Sequence, residues 1–271
     1  VAVGCGALAA NTTGGCNTAV GKDAMLANTT GANNAAVGQA ALDSNTEGNS
    51  NVAMGRNSLA SNTTAGNNTG IGAFSLEQNV TGTSNTAVGQ LSLNRNTASN
   101  NTAVGRQALE ANTTGSPNTA VGYQALLVNT TGSNNTGIGY QSLKANVSGA
   151  RNTAIGHGTL GLNVSGLCNI AIGQVALSSN TTASDNLAVG ANALESNTTG
   201  AGNVGIGGCA LKLNTTANYN VAVGGNALTD NTTGTKNVAL GTAALANNTT
   251  SDSNTALGHS AMETNTTGAC N

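Results

Sequence analysis

The sequence predicts an all-β fold, a parallel β-solenoid (β-roll) of sixteen 17-residue coils packed against other copies of itself. Three observations carry that expectation. NTAVGRQALEANTTGSP, from Asn101 to Pro117, is followed at once by NTAVGYQALLVNTTGSN, from Asn118 to Asn134. The same pattern returns along the whole chain. Units open at Asn17, Asn34, Asn51, Asn68, Asn85 and Asn101 and continue to Asn254, every spacing being 17 except the 16 between Asn85 and Asn101. Finally, 17 residues are too few for a helix pair but suit one turn of a parallel solenoid, whose coils stack at about 4.8 Å. Residues 1–271 are therefore read as a single repeat domain of sixteen coils. The residue missing from the short unit falls in the polar NTASN segment, where a turn can shorten.

Positions are numbered from the opening Asn of each unit. Position 1 is Asn and position 5 is Gly in all 16 units, and position 4 is always Val, Ile, Leu or Met. Position 9 is Leu in 14 units and Met in two (Met25, Met262), and position 12 is always Asn. Residues 2 and 4 share one strand face, because side chains alternate along a strand. The aliphatic columns at 4 and 9 are expected to stack on their own copies as a thin apolar core. Gly at 5 turns a corner with a φ that other residues resist. The two Asn columns are expected to form ladders, amide on amide, as in cross-β stacks. The Thr-Thr-Gly step is expected to close a second strand and a turn.

Composition narrows the function classes. The chain has one Phe, three Tyr and no Trp, so aromatics cannot fill a thick core. Charged residues are only 7% and the net charge is -2, which offers no basic footprint for nucleic acid. Of the 18 charged residues, 17 fall at positions 6, 7, 10, 11, 16 or 17, the expected outward corners, and only Glu47 does not. No apolar run approaches the roughly 20 residues of a membrane span. His157 and His259 lie six units apart with no carboxylate or Cys fixed beside them, so they read as exposed corner residues and not as parts of an enzyme site. No catalytic, metal or cofactor-binding residue is expected.

Position 3 faces away from positions 2 and 4, yet it is never polar. It is Ala19, Ala36, Ala53, Gly70, Ala87, Ala103, Ala120, Gly137, Ala154, Ala171, Ala188, Gly205, Ala222, Ala239 and Ala256. A strand apolar on both faces is normally buried on both. This stripe is therefore expected to be a self-association surface on which another chain packs closely. The alternative is a second internal face of a tight coil.

The NTAVGxxAL pattern, for instance Asn118 to Leu126 and Asn152 to Leu160, resembles the head repeats of trimeric autotransporter adhesins, the YadA-like head. The resemblance implies a left-handed parallel β-roll, three chains packed together and adhesion at a cell surface. The coils here are longer than that family's, and the NTTG segment is extra. Filamentous repeat proteins are compatible with the same pattern. The expected function is a non-enzymatic structural subunit or segment of an extracellular filament or appendage, self-assembling end to end or as a trimer. An adhesin head binding a surface receptor is the alternative. An ice-binding solenoid is a minor one, because adjacent Thr at 13 and 14 point to opposite faces.

Remaining candidates are modification sites and junctions. Position 12 opens an N-x-S/T acceptor pattern in 14 of 16 units, and further acceptors occur at Asn67, Asn100, Asn134 and Asn247. Coils about 4.8 Å apart leave no room for a glycan on every Asn of one column. Position 12 is therefore expected to be a buried ladder, which leaves open sparse glycans at corner Asn residues or small sugars on Thr. Cys16 and Cys270 share position 17, and they would stack in disulfide range if subunits joined head to tail. Read across such a junction, Asn271 and Val1 give NVAVG, which suggests either end-to-end stacking or an excerpt of a longer array.

Overall fold

A computed structural model describes all residues from Val1 to Asn271. The protein is all-β. It carries sixteen short strands, β1–β16 in chain order, from β1 (Ala2–Val3) to β16 (Thr255–Leu257), and no helix. The chain divides into two compact units, Val1–Asn134 with β1–β8 and Asn135–Asn271 with β9–β16. Within each unit successive strands pair in parallel, from β1–β2 to β7–β8 and from β9–β10 to β15–β16, which is a β-solenoid.

Register follows the repeat. β10 (Thr153–Ile155) pairs with β11 (Ile170–Ile172) as Thr153↔Ile170, Ala154↔Ala171 and Ile155↔Ile172. The short unit keeps the same phase, with Ala87 opposite Ala103. Its deletion is absorbed in the turn. The Asn85 Nδ2 donates to the Ala98 carbonyl 13 residues on, whereas Asn152 reaches Gly166, 14 residues on. Ala98 thus fills the role that position 15 fills elsewhere.

Backbone hydrogen bonds continue between coils outside the strands. Gly173 N–H donates to the Ile155 carbonyl at 2.8 Å, Val175 to His157 at 2.9 Å, Leu160 to Ala176 at 3.1 Å and Leu162 to Ser178 at 3.1 Å. Some donors point up the stack and others down. The Thr-Thr-Gly step joins in through position 13, where Thr181 N–H donates to the Thr198 carbonyl at 3.1 Å. That step forms a bend and not the second strand expected from its composition. Each coil has one strand only.

The inside and the outside of the strand are the reverse of the expectation. The position-3 residues Ala19, Ala36, Ala53, Ala87, Ala103, Ala120, Ala154, Ala171, Ala188, Ala222 and Ala239 are fully buried within their own chain, and Ala256 nearly so; Gly70, Gly137 and Gly205 lie in the same buried column. This stripe is core, so it is not a surface on which another chain can pack. Position 4 points out instead: Ile138 and Ile155 are 37% exposed and Ile172 38%. The reason is room. At Gly205 an added Cβ would already lie 3.4 Å from Leu194 Cδ1 and Cγ. Only a methyl fits between the strand and the opposite wall, so the larger Val and Ile must face out. The core is therefore the Ala column at 3, the small residues at 8 and the fully buried Leu column at 9, such as Leu160, Leu177 and Leu194.

Two corners make this possible. Gly156 at position 5 has φ +135, and a Cβ there would sit 2.6 Å from the Gly173 carbonyl oxygen, so neither its conformation nor its space admits a side chain. Position 9 also has positive φ, +50 at Leu160, although Leu disfavours it. Complete burial of the side chain holds it there. The inverted faces give a direct check. Ala171→Leu should overpack the core and lower unfolding free energy by about 1–3 kcal/mol. Its neighbour Ile172→Thr should change it by no more than about 0.5 kcal/mol. Chemical denaturation of the two variants measures both, and the reverse ranking would refute the assignment.

Candidate functional site

The repeat builds three surfaces on one scaffold, and the scaffold is set by asparagine. In each interior coil the position-12 amide is fully buried. Asn163 Nδ2 donates to Asn146 Oδ1 at 2.9 Å and to the Gly166 carbonyl at 3.2 Å, and Asn163 Oδ1 accepts from Asn180 Nδ2 at 2.8 Å. The position-1 amide reaches the same carbonyl from the other side: Asn152 Nδ2 donates to Gly166 O at 2.8 Å. Its Oδ1 accepts from the Asn169 backbone N–H at 3.0 Å. Two side chains from opposite ends of a coil thus meet on one carbonyl, and each also bonds a neighbouring coil. The Asn ladders expected from sequence are present, and the convergence on position 15 closes the coil. A third ladder runs beside them, because Thr hydroxyls at 13 donate to the position-13 carbonyl one coil on, as Thr215 does to Thr232 at 3.1 Å.

The first surface is the outward strand face, positions 2 and 4. Across the repeat these positions hold only Thr, Ala, Val, Ile, Leu and Met. Every charged residue lies elsewhere. Sequence reasoning had grouped these residues correctly but placed them inside. The second surface is the corner at positions 6 and 7. Tyr140 and His157 stack there with ring centroids 4.9 Å apart and 7° between planes, and Arg56 lies 4.5 Å over the Phe74 ring. His157 and His259 are both exposed. No three His, Cys, Asp or Glu residues gather as a metal site.

The third is a notch of about 270 Å³ in the second unit, lined by Gln141, Lys144, Gly158, Gly161, Leu162, Ser178 and Ser179. Its origin is local. Positions 7 and 10 carry side chains in the neighbouring coils, Gln141 and Lys144 on one side, but Gly158 and Gly161 leave them vacant. Leu162 on its rim is 57% exposed.

The remaining sequence candidates are placed as follows. Asn67, Asn100, Asn134 and Asn247 are all exposed. Cys16 and Cys270 are exposed free thiols with φ +58 and +61. The other cysteines, Cys5, Cys168 and Cys209, are free as well. No helix is long and apolar enough to cross a membrane.

Two carboxylates are perturbed in opposite senses. Burial, and then the charge of Asp23, push the Asp43 carboxyl above its usual range, and its Oδ1 is buried without a hydrogen-bond partner. The Thr235 backbone N–H, at 2.5 Å, and the Thr235 hydroxyl, at 3.0 Å, hold Asp252 below that range.

No protein-family model and no curated protein matches this chain.

Replacing Asn163 by Ala would take from Asn180 Nδ2 one of its two acceptors, leaving only the Ala183 carbonyl, and would remove one of two side-chain donors to Gly166. A loss of about 1–3 kcal/mol per unsatisfied group is expected. Thr181→Val should cost about 1 kcal/mol or less, because Val147 and Val164 already occupy that column. Equal midpoints for the two variants in urea would contradict the junction's role. For Asp43 the folded pKa is raised, so its ionisation disfavours the fold. Stability is greatest below the unfolded value and is lost as pH rises through the folded one. Asp43→Asn should therefore raise the melting temperature at pH 7 and leave it nearly unchanged near pH 3. A gain that persisted undiminished at acid pH would rule this out.

Proposed function

We propose that this chain is a structural, non-enzymatic element of an extracellular filament or appendage, and that it associates with copies of itself through the outward strand face. The observation that carries the reading is the unbroken, charge-free column of Val, Ile, Leu and Met at position 4, of which eight are 36–38% exposed and none is buried. Finishing the burial of one such side chain contributes about 1 kcal/mol. Association costs on the order of 4–15 kcal/mol in lost freedom. One coil cannot meet that cost, whereas a run of eight contributes about 8 kcal/mol, which is of its size. Repetition is thus what makes the face adhesive. A partner that contacts every coil alike needs the same coil spacing, which a second copy has. Two such faces would pack about 10 Å apart.

The adhesin reading has one supporting observation of its own, the notch at Gly158 and Gly161. It is a local break in the repeat where a receptor group could sit between Lys144 and the Ser178 and Ser179 hydroxyls.

The self-association reading is tested by sedimentation and by mass per unit length in electron micrographs. The unaltered chain should form dimers, trimers or fibres. Ile138→Lys, Ile155→Lys and Ile172→Lys together should give monomers with unchanged circular dichroism. A chain that stays monomeric at high concentration without these changes would dispose of the proposal.

A further inference from the structure

The acceptor pattern N-x-S/T is spread through this chain more densely than its fold could tolerate if it were used. Fourteen position-12 asparagines carry it, and only Asn45 and Asn96 do not. Twelve of those fourteen, including Asn62, Asn112, Asn163 and Asn214, have no exposed surface. The atom a glycan would occupy is the one the fold uses. Asn163 Nδ2 spends both hydrogens, one on Asn146 Oδ1 and one on the Gly166 carbonyl.

In N-glycosylation the sugar C1–O bond to a lipid diphosphate breaks and a C1–Nδ2 bond forms. Nδ2 gives up one proton and the diphosphate leaves. One of the two donors is then lost, and a hexose must fit where it pointed. There is no such space. A single carbon added at Gly166 would lie 2.4 Å from Asn163 Oδ1 and 3.0 Å from Asn169 Nδ2. Ala65, Ala183, Ala217 and Ser251 are the largest side chains at this position, so the junction admits at most a methyl or a hydroxymethyl group and nothing near a pyranose ring. The other buried Asn column escapes the problem, because position 3 is Ala or Gly and no acceptor pattern arises at position 1.

We infer that the solenoid and N-glycosylation at the twelve buried position-12 residues exclude one another, and that Asn67, Asn100, Asn134 and Asn247 are the acceptors of the interior coils compatible with the fold. These four side chains are exposed, and three share position 17 with φ between +58 and +62 on the outer corner. An unfolded chain offers the transferase all the acceptors, whereas the folded chain offers these four and, in its end coils, the exposed Asn11 and the half-buried Asn265. Folding must therefore precede or avoid the transferase. The inference is independent of self-association, because it concerns one chain.

The experiment is to express the full chain behind a secretion signal in cells that carry the lipid-linked transferase, and also in bacterial cytoplasm. The protease-resistant, β-rich fraction is isolated from each. Peptide N-glycosidase in heavy-oxygen water then marks every formerly occupied Asn by mass. Folded secreted chain should carry glycan at one or more of the four corner sites and at none of the twelve buried ones. If the secreted chain fails to fold, replacing Thr or Ser at position 14 by Ala in the fourteen acceptor coils should restore folding. That change removes the acceptor pattern and touches neither asparagine of the ladder. Folded chain glycosylated at a buried position 12 would overturn the inference, as would corner sites that stay wholly unoccupied. Failure of the Ala variant to fold in secreting cells, while the unaltered chain folds in bacteria, would overturn it too.

Discussion

Two asparagine amides meeting on one backbone carbonyl hold each coil closed. A 17-residue loop has no helix and only one three-residue strand to define its shape. Without a cross-brace the turn after position 12 would be free to drift from the strand that follows. The position-1 and position-12 side chains remove that freedom by sharing the carbonyl of position 15, as Asn152 and Asn163 share that of Gly166. Each side chain then spends its remaining capacity on the adjacent coil. Closure within a coil and stacking between coils are thus one network. Its amides are fully buried, where an unmade bond is expensive and a made one is specific.

The narrow core follows from that closure. Once the strand and the position-15 turn are tied together, the space between them takes a methyl and a leucine. Ala at 3 and Leu at 9 fill it, and Gly205 shows how little remains. Aromatic residues are excluded on volume, in keeping with the near absence of Phe, Tyr and Trp from the chain. The bulky aliphatic residues at position 4 are displaced to the outside, which gives each coil one apolar outer face between charged corners.

Most of the architecture was legible in the repeat. The period, the parallel register, the Gly corner, the Asn ladders and the outward placement of charge all follow from column identity. What was not legible was the polarity of the strand. Alternation tells that residues 2 and 4 share a face and that 3 takes the other. It does not tell which face is inside when both are apolar. Hydropathy favours Val and Ile as core, and here steric room overrules it. The Thr-Thr-Gly step misled for a related reason. Its β propensity is real, but the turn it sits in is governed by amides 3 and 14 residues before position 15, which propensity does not see. The notch at Gly158 and Gly161 had a visible signal, two glycines in columns that usually carry side chains, but its depth depends on neighbours one coil to either side.

The direction of the backbone hydrogen bonds gives the protein a mechanical grain. Between the coils opening at Asn152 and Asn169, bonds from Thr153, Leu160, Leu162, Gly173 and Val175 all run from one coil to the next. Tension applied from coil to coil stretches them together, and none can fail without shifting its load to the rest. Tension that peels one turn away from the edge meets the same bonds singly. Such a material resists being drawn out and yields to being unwound, so its toughness depends on how it is gripped.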